Sequence, residues 1–164
     1  MNNILNSGGF DLTDLTRVDA TPPEVDKYHL ENGDFLFNTR NSRELVGKTC
    51  VIKGLSKEPI LYNNNILRTK LSFVFPEFID YWFRSVSGKL LLNEKKSNTT
   101  NVCAIYQGRL FEMLCVIPPI AEQHRIVAKV DELMVLCDKL KDRLKEAQVT
   151  QIQLADAIVE RAVM

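Results

Sequence analysis

Between Ile126 and Ile158 the chain places Ile126, Val130, Leu133, Cys137, Leu140, Leu144, Ala147, Gln151, Leu154 and Ile158 at alternating steps of four and three residues. Nine of these ten are apolar, which carries the pattern past the three or four heptads that distinguish a coiled-coil helix from an ordinary amphipathic one. Pro118-Pro119 stops whatever precedes, and a helix is expected from Ala121 onward. At 1.5 Å per residue it would be about 60 Å long. A body built from the remaining residues is too small to bury a stripe of that length, so the seam predicts a partner helix. Gln151 is the single polar residue at an a position, the kind that fixes register at some cost in stability. Leu133–Cys137 is apolar all round and Ala155–Val163 nearly so, which calls for cover beyond one two-helix contact.

The rest of the chain reads as mixed helix and strand. Residues 1–33 contain SGG, TPP and ENG and little periodicity, and are expected to be loop with a short turn. Strands are expected at Phe35–Asn38, Val46–Ile52, Ile60–Tyr62, Ile66–Leu71, Val102–Tyr106 and, buried, Met113–Ile117. Pro76 opens a helix through Val86, with Phe78, Tyr81, Trp82 and Val86 on one face. Ser87-Gly88 is expected to break it before a second helix over Lys89–Lys96, and Gln107–Phe111 is expected to be a short helical turn. The fold class is therefore α+β: a small mixed domain over 1–117, then one long helix over 118–164.

Charge is unevenly placed. Residues 1–35 hold two basic and seven acidic side chains, residues 36–109 twelve basic and five acidic, and residues 110–164 seven basic and nine acidic. A basic middle block suits a phosphate-binding surface and equally suits a solvated face. The cysteines Cys50, Cys103, Cys115 and Cys137 form no CxxC pair, and with only His29 and His124 no zinc site is expected. They are expected to be reduced and used as small hydrophobes in a cytoplasmic protein. No apolar run approaches a membrane span, and MNNILNSGGFD has neither the basic nor the apolar region of a secretory signal.

Motifs for chemistry are missing. No GxxxxGK[ST], GxGxxG, GxSxG or HExxH occurs, and Val-Ile rather than Asn or Asp precedes Pro118-Pro119. The chain is not expected to be an enzyme on its own, nor to carry a cofactor.

Four segments in order, GDFLFNTRNSRELVGKTCVI, NNILRTK, PEFIDYWF and IPPIAEQHRIVAKVDEL followed by LCDKLKDRL, resemble the specificity (S) subunit of type I restriction-modification systems. The resemblance runs from Gly33 to the C-terminus and is weaker before. It implies a target recognition domain that reads one half of a bipartite site in double-stranded DNA. It implies an antiparallel coil between conserved helices that spaces the half-sites. It also implies methyltransferase (M) subunits docked on S, restriction (R) subunits joining through the complex, and no catalysis by S itself. One helix and part of one recognition domain resemble a half-subunit or truncated form. Its coil partner would be a second copy, giving a palindromic site, or another specificity half. The alternative function is an interaction protein that reads no sequence, pairs through its helix, and competes for or scaffolds M.

In that family the polar loop after the GDFLF-type strand faces DNA. Here it carries Asn38, Arg40, Asn41, Ser42 and Arg43, with Lys48 after the next turn. Asparagine and serine offer donors and acceptors to base edges, and arginine grips guanine or phosphate with two bonds. A second candidate loop has Lys95 and Lys96 for phosphate and Asn98 and Asn101 for bases. Phe35, Phe37, Trp82 and Phe83 are read as core rather than as stacking platforms.

Overall fold

The computed structural model describes residues 3–97 and 102–163, and divides the chain into two compact units, 1–124 and 125–164. The elements in order are α1 (Pro22–Tyr28), β1 (Phe35–Asn38), β2 (Arg40–Asn41), β3 (Thr49–Val51), β4 (Ile66–Thr69), α2 (Pro76–Arg84), α3 (Val86–Lys95), β5 (Cys103–Ala104), α4 (Gln107–Phe111) and α5 (Ile120–Val163). This is the α+β class expected.

The first unit is organised by β1. It lies between β3 and β4, antiparallel to both, with Phe35 opposite Val51 on one side and Thr69 on the other. Because side chains alternate along a strand, Phe35 and Phe37 enter one core with Val46, Leu92, Cys103 and Ile105, while Leu36 enters a second with Ile4, Leu30, Cys50 and Ile52. A strand covered on both faces and both edges has no exposed position, and all four residues of β1 are buried. Phe83 of α2 closes the first core, its ring 6.0 Å from that of Phe35 and 5.4 Å from that of Phe37. Thr49 Oγ1 donates to Asp80 Oδ1 at 2.7 Å, tying α2 to β3. Burial raises the Asp80 carboxyl, and the Thr49 hydroxyl and the Arg84 guanidinium act against that rise.

Several expected elements are shorter, shifted or replaced. Residues 1–33 contain a helix, α1; Glu24 accepts from the Thr21 N–H at 2.8 Å and from its hydroxyl at 2.7 Å, and Pro22 occupies the first turn. The strand expected from Val46 begins only at Thr49, because Gly47 turns the backbone at φ +91° and Val46 N–H closes a turn on Ser42 O. Ile60–Tyr62 makes one bridge, Leu61 to His29, rather than a strand. The α2 helix ends at Arg84: Ser85 is extended and accepts from Gly88 N–H at 3.1 Å, so it caps α3. Val86 is consequently the exposed start of α3, and the buried face of α2 is Phe78, Ile79 and Phe83. Gly88 breaks nothing; it is buried in α3, where an added Cβ would lie 2.1 Å from Trp82 O. Met113–Ile117 is not a buried strand: Met113 packs on the first core, but Leu114 and Val116 are 87% and 86% exposed. Leu114, Val116 and Ile117 face solvent, so the run is not covered twice.

All four cysteines are free; Cys50 and Cys103 are buried, Cys115 is partly covered and Cys137 is exposed. Burial pushes the Cys50 thiol up to about 12, the behaviour of an inert core residue.

The second unit is the continuation of α5, whose full 44 residues span about 66 Å. It starts one residue before the expected Ala121. Leu133, Leu140, Leu144, Leu154 and Ile158 of the seam are exposed, as are Met134, Val135 and Leu136 of the apolar collar.

Candidate nucleic-acid interface

The first polar loop singled out in the sequence meets, on one edge, the segments that flank the second, more than fifty residues further on. Arg40 pairs with Ala104 and Asn41 with Cys103, joining β2 to β5. At the start of the second loop, Ser97 N–H donates to Ala104 O at 2.8 Å and Ser97 Oγ accepts from Ala104 N–H at 2.9 Å. Lys96 Nζ donates to Arg43 O at 2.7 Å, fastening the end of α3 to the first loop. Asn98 and Asn101 lie outside the described residues.

The turn from Asn41 to Gly47 is built by short side chains. Asn41 Oδ1 accepts from Ser42 N–H at 2.8 Å, and Ser42 O accepts from the N–H groups of Leu45 at 3.1 Å and Val46 at 2.9 Å. The Glu44 carboxyl is held below its usual range, first by its own backbone N–H and then by Ser42. With the backbone so fixed, Arg40 and Arg43 are exposed while Asn41 and Ser42 are partly covered.

Not every expected contact residue reaches the surface. Asn38 is completely buried: its N–H donates to Lys48 O at 2.8 Å, its O accepts from Gly47 N–H at 2.9 Å, and its carboxamide has no partner. It is the last residue of the covered central strand, so it supports the turn from beneath. Lys95 pairs with Glu112 at 3.0 Å. Lys48 donates to Ile4 O at 3.2 Å. Lys48 and Lys96 line one open groove of about 930 Å³ with Lys89 and Arg84, while Arg40 opens onto a separate groove of about 540 Å³ beside Asn64, Tyr106 and Gln107. Burial lowers the Lys96 ammonium, and the neighbouring Arg43 charge adds to that.

Sequence reasoning missed Tyr106, Asn64 and Gln107 beside Arg40, and Lys89 beside Lys96. The basic block contained Lys89 as one charge among twelve, with no local signal to separate it. Tyr106 and Asn64 join Arg40 only through strand pairings that no local pattern announces. Phe35 and Phe37 are core as expected; Phe83 is partly buried, and Trp82 is half-buried with its ring 5.0 Å from that of Phe83. Among the described residues, no group of three histidine, cysteine, aspartate or glutamate side chains is placed to hold a metal ion. Among the described residues, no helix is long and apolar enough to cross a membrane.

A small α+β unit with a basic edge, followed by one long helix with an open heptad seam, is the class of protein defined by this arrangement. The resemblance found in the sequence is matched by curated relatives. Over 160 residues, 96% of this chain and 34% of the relative, it is 26% identical to the type I restriction enzyme EcoKI specificity subunit of Escherichia coli (strain K12). It is 27% identical to the EcoEI specificity subunit of Escherichia coli over 139 residues, 83% of this chain and 23% of the relative. It is 27% identical to the putative MjaX specificity subunit of Methanocaldococcus jannaschii over 150 residues, 88% of this chain and 35% of the relative. No family model matches the chain. The chain is thus similar to type I specificity subunits along most of its length, and it spans about a quarter to a third of theirs.

Proposed function

We propose that this chain is a non-catalytic DNA-recognition unit of a type I restriction-modification complex. The observation that carries this reading is the pairing of Arg40 and Asn41 with Ala104 and Cys103 on the β2–β5 edge, reinforced by the Lys96–Arg43 contact. Arg40 faces base edges from this rim, Asn41 shapes the turn beside it, and the neighbouring cations meet phosphate. The α5 helix pairs antiparallel with a second specificity helix, either a copy of itself or another half. It sets the spacing between half-sites and docks M subunits, through which R subunits join. The complex acts in the cytoplasm on a bipartite site.

Methylome sequencing of a host carrying this chain together with its M subunit tests the reading. A methylated motif is expected, palindromic for a self-paired helix and asymmetric for a pair of different halves. An Arg40→Ala, Asn41→Ala double variant should alter the motif at both half-sites of a self-paired complex, or at one half-site of a pair of different halves, while methylation continues. Methylation that keeps the same motif in that variant would remove the assignment of the β2 rim.

A second reading is favoured by the open seam from Leu133 to Ile158. In it the chain pairs and occupies M without reading sequence. Co-purification with M, with no footprint on any duplex, would select it over the first.

A further inference from the structure

Most paired cations in the described residues have carboxylate partners: Lys53 with Glu77, Arg68 with Glu31 and Asp34, Lys70 with Glu31, Arg84 with Asp80, Lys95 with Glu112, Lys129 with Glu132 and Lys141 with Asp138. Lys48 and Lys96 differ. Each is half-buried, and each is held by a neutral backbone carbonyl, Ile4 O and Arg43 O. An ammonium has three donors, so each keeps two for another acceptor, and its charge is not cancelled by the carbonyl. Both line the 930 Å³ groove with the exposed Lys89. Arg84 lies there as well, but Asp80 neutralises it at 2.8 Å. Glu44 is the one acidic residue in the lining.

Three segments supply these lysines: the turn before β3, the first turn of α3, and the C-terminal cap of α3. The floor between them is apolar, with Leu92 and Phe83, and Gly47 keeps it open because a Cβ there would come within 3.3 Å of Leu92. Partly desolvated ammonium groups over an apolar floor attract an anion more strongly than fully hydrated ones do. The groove is open rather than enclosed, and the Lys96–Arg43 contact joins it to the turn that follows Arg40. An extended polyanion fits that continuity better than a small anion does.

We infer that the Lys48–Lys89–Lys96 groove is the track for the DNA sugar-phosphate backbone, lying beside the β2 rim that reads bases. This inference rests on the DNA-recognition reading and deepens it: Lys89 joins Lys48 and Lys96 in a set that positions the duplex and carries no sequence preference.

The test uses the full chain and a fluorescent duplex of mixed sequence, with affinity followed against potassium chloride concentration. A Lys48→Gln, Lys89→Gln, Lys96→Gln variant keeps a donor for each carbonyl but no charge. At about 0.9 per phosphate contact, its log–log salt slope should be shallower than that of the parent by about 2.7. The corresponding triple arginine variant should restore the slope, which a merely misfolded groove would not allow. A parent that binds and a glutamine variant that binds with the same slope would overturn the groove and leave the β2 rim standing. A parent that binds no duplex at low salt would overturn both.

Discussion

The first unit buries Phe35, Phe37, Leu36, Cys50 and Ile52 within itself, whereas the second leaves Leu133, Leu140, Leu144, Leu154 and Ile158 exposed. Both are apolar by sequence; what differs is the reach of their contacts. In the first, β1 draws in residues from Ile4 to Ile105, so apolar surface finds apolar surface inside the chain. In the second, the exposed residues all lie on one helix, and a single helix cannot cover its own stripe. Most of a helix's stability in a protein comes from tertiary packing of such a stripe rather than from propensity. The first unit therefore has a core of its own, whereas the seam of the helix from Leu133 to Ile158 is left open.

Breaking the seam gives the largest expected effect. In a self-paired antiparallel coil with full overlap, the 4,3 spacing sets Ile126 against Ile158, Val130 against Leu154, and Leu140 against Leu144 of the partner helix at the centre. A Leu140→Asp, Leu144→Asp variant places charge at that centre and removes leucine contacts worth about 1.5–3 kcal/mol each. Sedimentation should show complete loss of self-association. Helicity should become independent of concentration, while the melting of the globular unit stays where it was. Continued association by the variant would mean that this seam is not the pairing surface.

The converse change is Phe37→Ala. Its ring is fully buried and packs on Phe83, and such a truncation costs about 3–5 kcal/mol. Against a typical domain stability of about 5–15 kcal/mol that is a large fraction. Denaturant titration followed through Trp82, which contacts the same Phe83, should register the loss. Helix pairing measured by sedimentation should be little affected, because the seam residues are elsewhere in the chain. Equal damage to both would contradict the separation of the units.

The parts of the fold that were legible in the sequence are those specified locally. The strand Phe35–Asn38 follows a Gly-Asp turn, α4 was bounded as expected, and the seam repeats without a slip. The helix α1 was legible too, since Thr21, Pro22 and Glu24 form its start signal, but the neighbouring SGG and ENG stretches drew the whole segment into loop. Failures came where the surroundings of a residue, rather than its own pattern, decide the outcome. Gly88 resembles a breaker until Trp82 O is found against it, and Met113–Ile117 resembles a buried strand until one of its faces meets solvent. The candidate interface divides in the same way. The Arg40–Arg43 turn could be read from its composition. The burial of Asn38, and the company of Tyr106 and Asn64 beside Arg40, depend on pairings across tens of residues.

The smallest expected effect, a shift with pH, sharpens the same contrast. Lys70 and His29 hold the Glu31 carboxyl down to about 2, with Arg68 adding to this, and Glu31 in turn raises the His29 imidazole above 6.5. A carboxyl lowered on folding stabilises the fold above its unfolded value of 4.5, and that contribution is lost as pH falls toward 2. An imidazole raised on folding stabilises it below 6.5, and that contribution is lost as pH rises through the folded value. Both are present between 4.5 and 6.5, so the melting temperature of the first unit should be highest there and should decline modestly on either side. These groups are partly open to solvent, which screens them, so the effect is small. A Glu31→Gln variant should flatten both limbs, since its neutral amide neither pairs with Lys70 nor favours the charged His29. No histidine follows His124, so helix pairing has no group of this kind and should stay level as pH moves from 6.5 to 8. A melting profile that keeps both limbs in the variant would mean that other groups set the pH response of the globular unit. Helix pairing that weakens in step with the first unit would mean that the two share one stability after all.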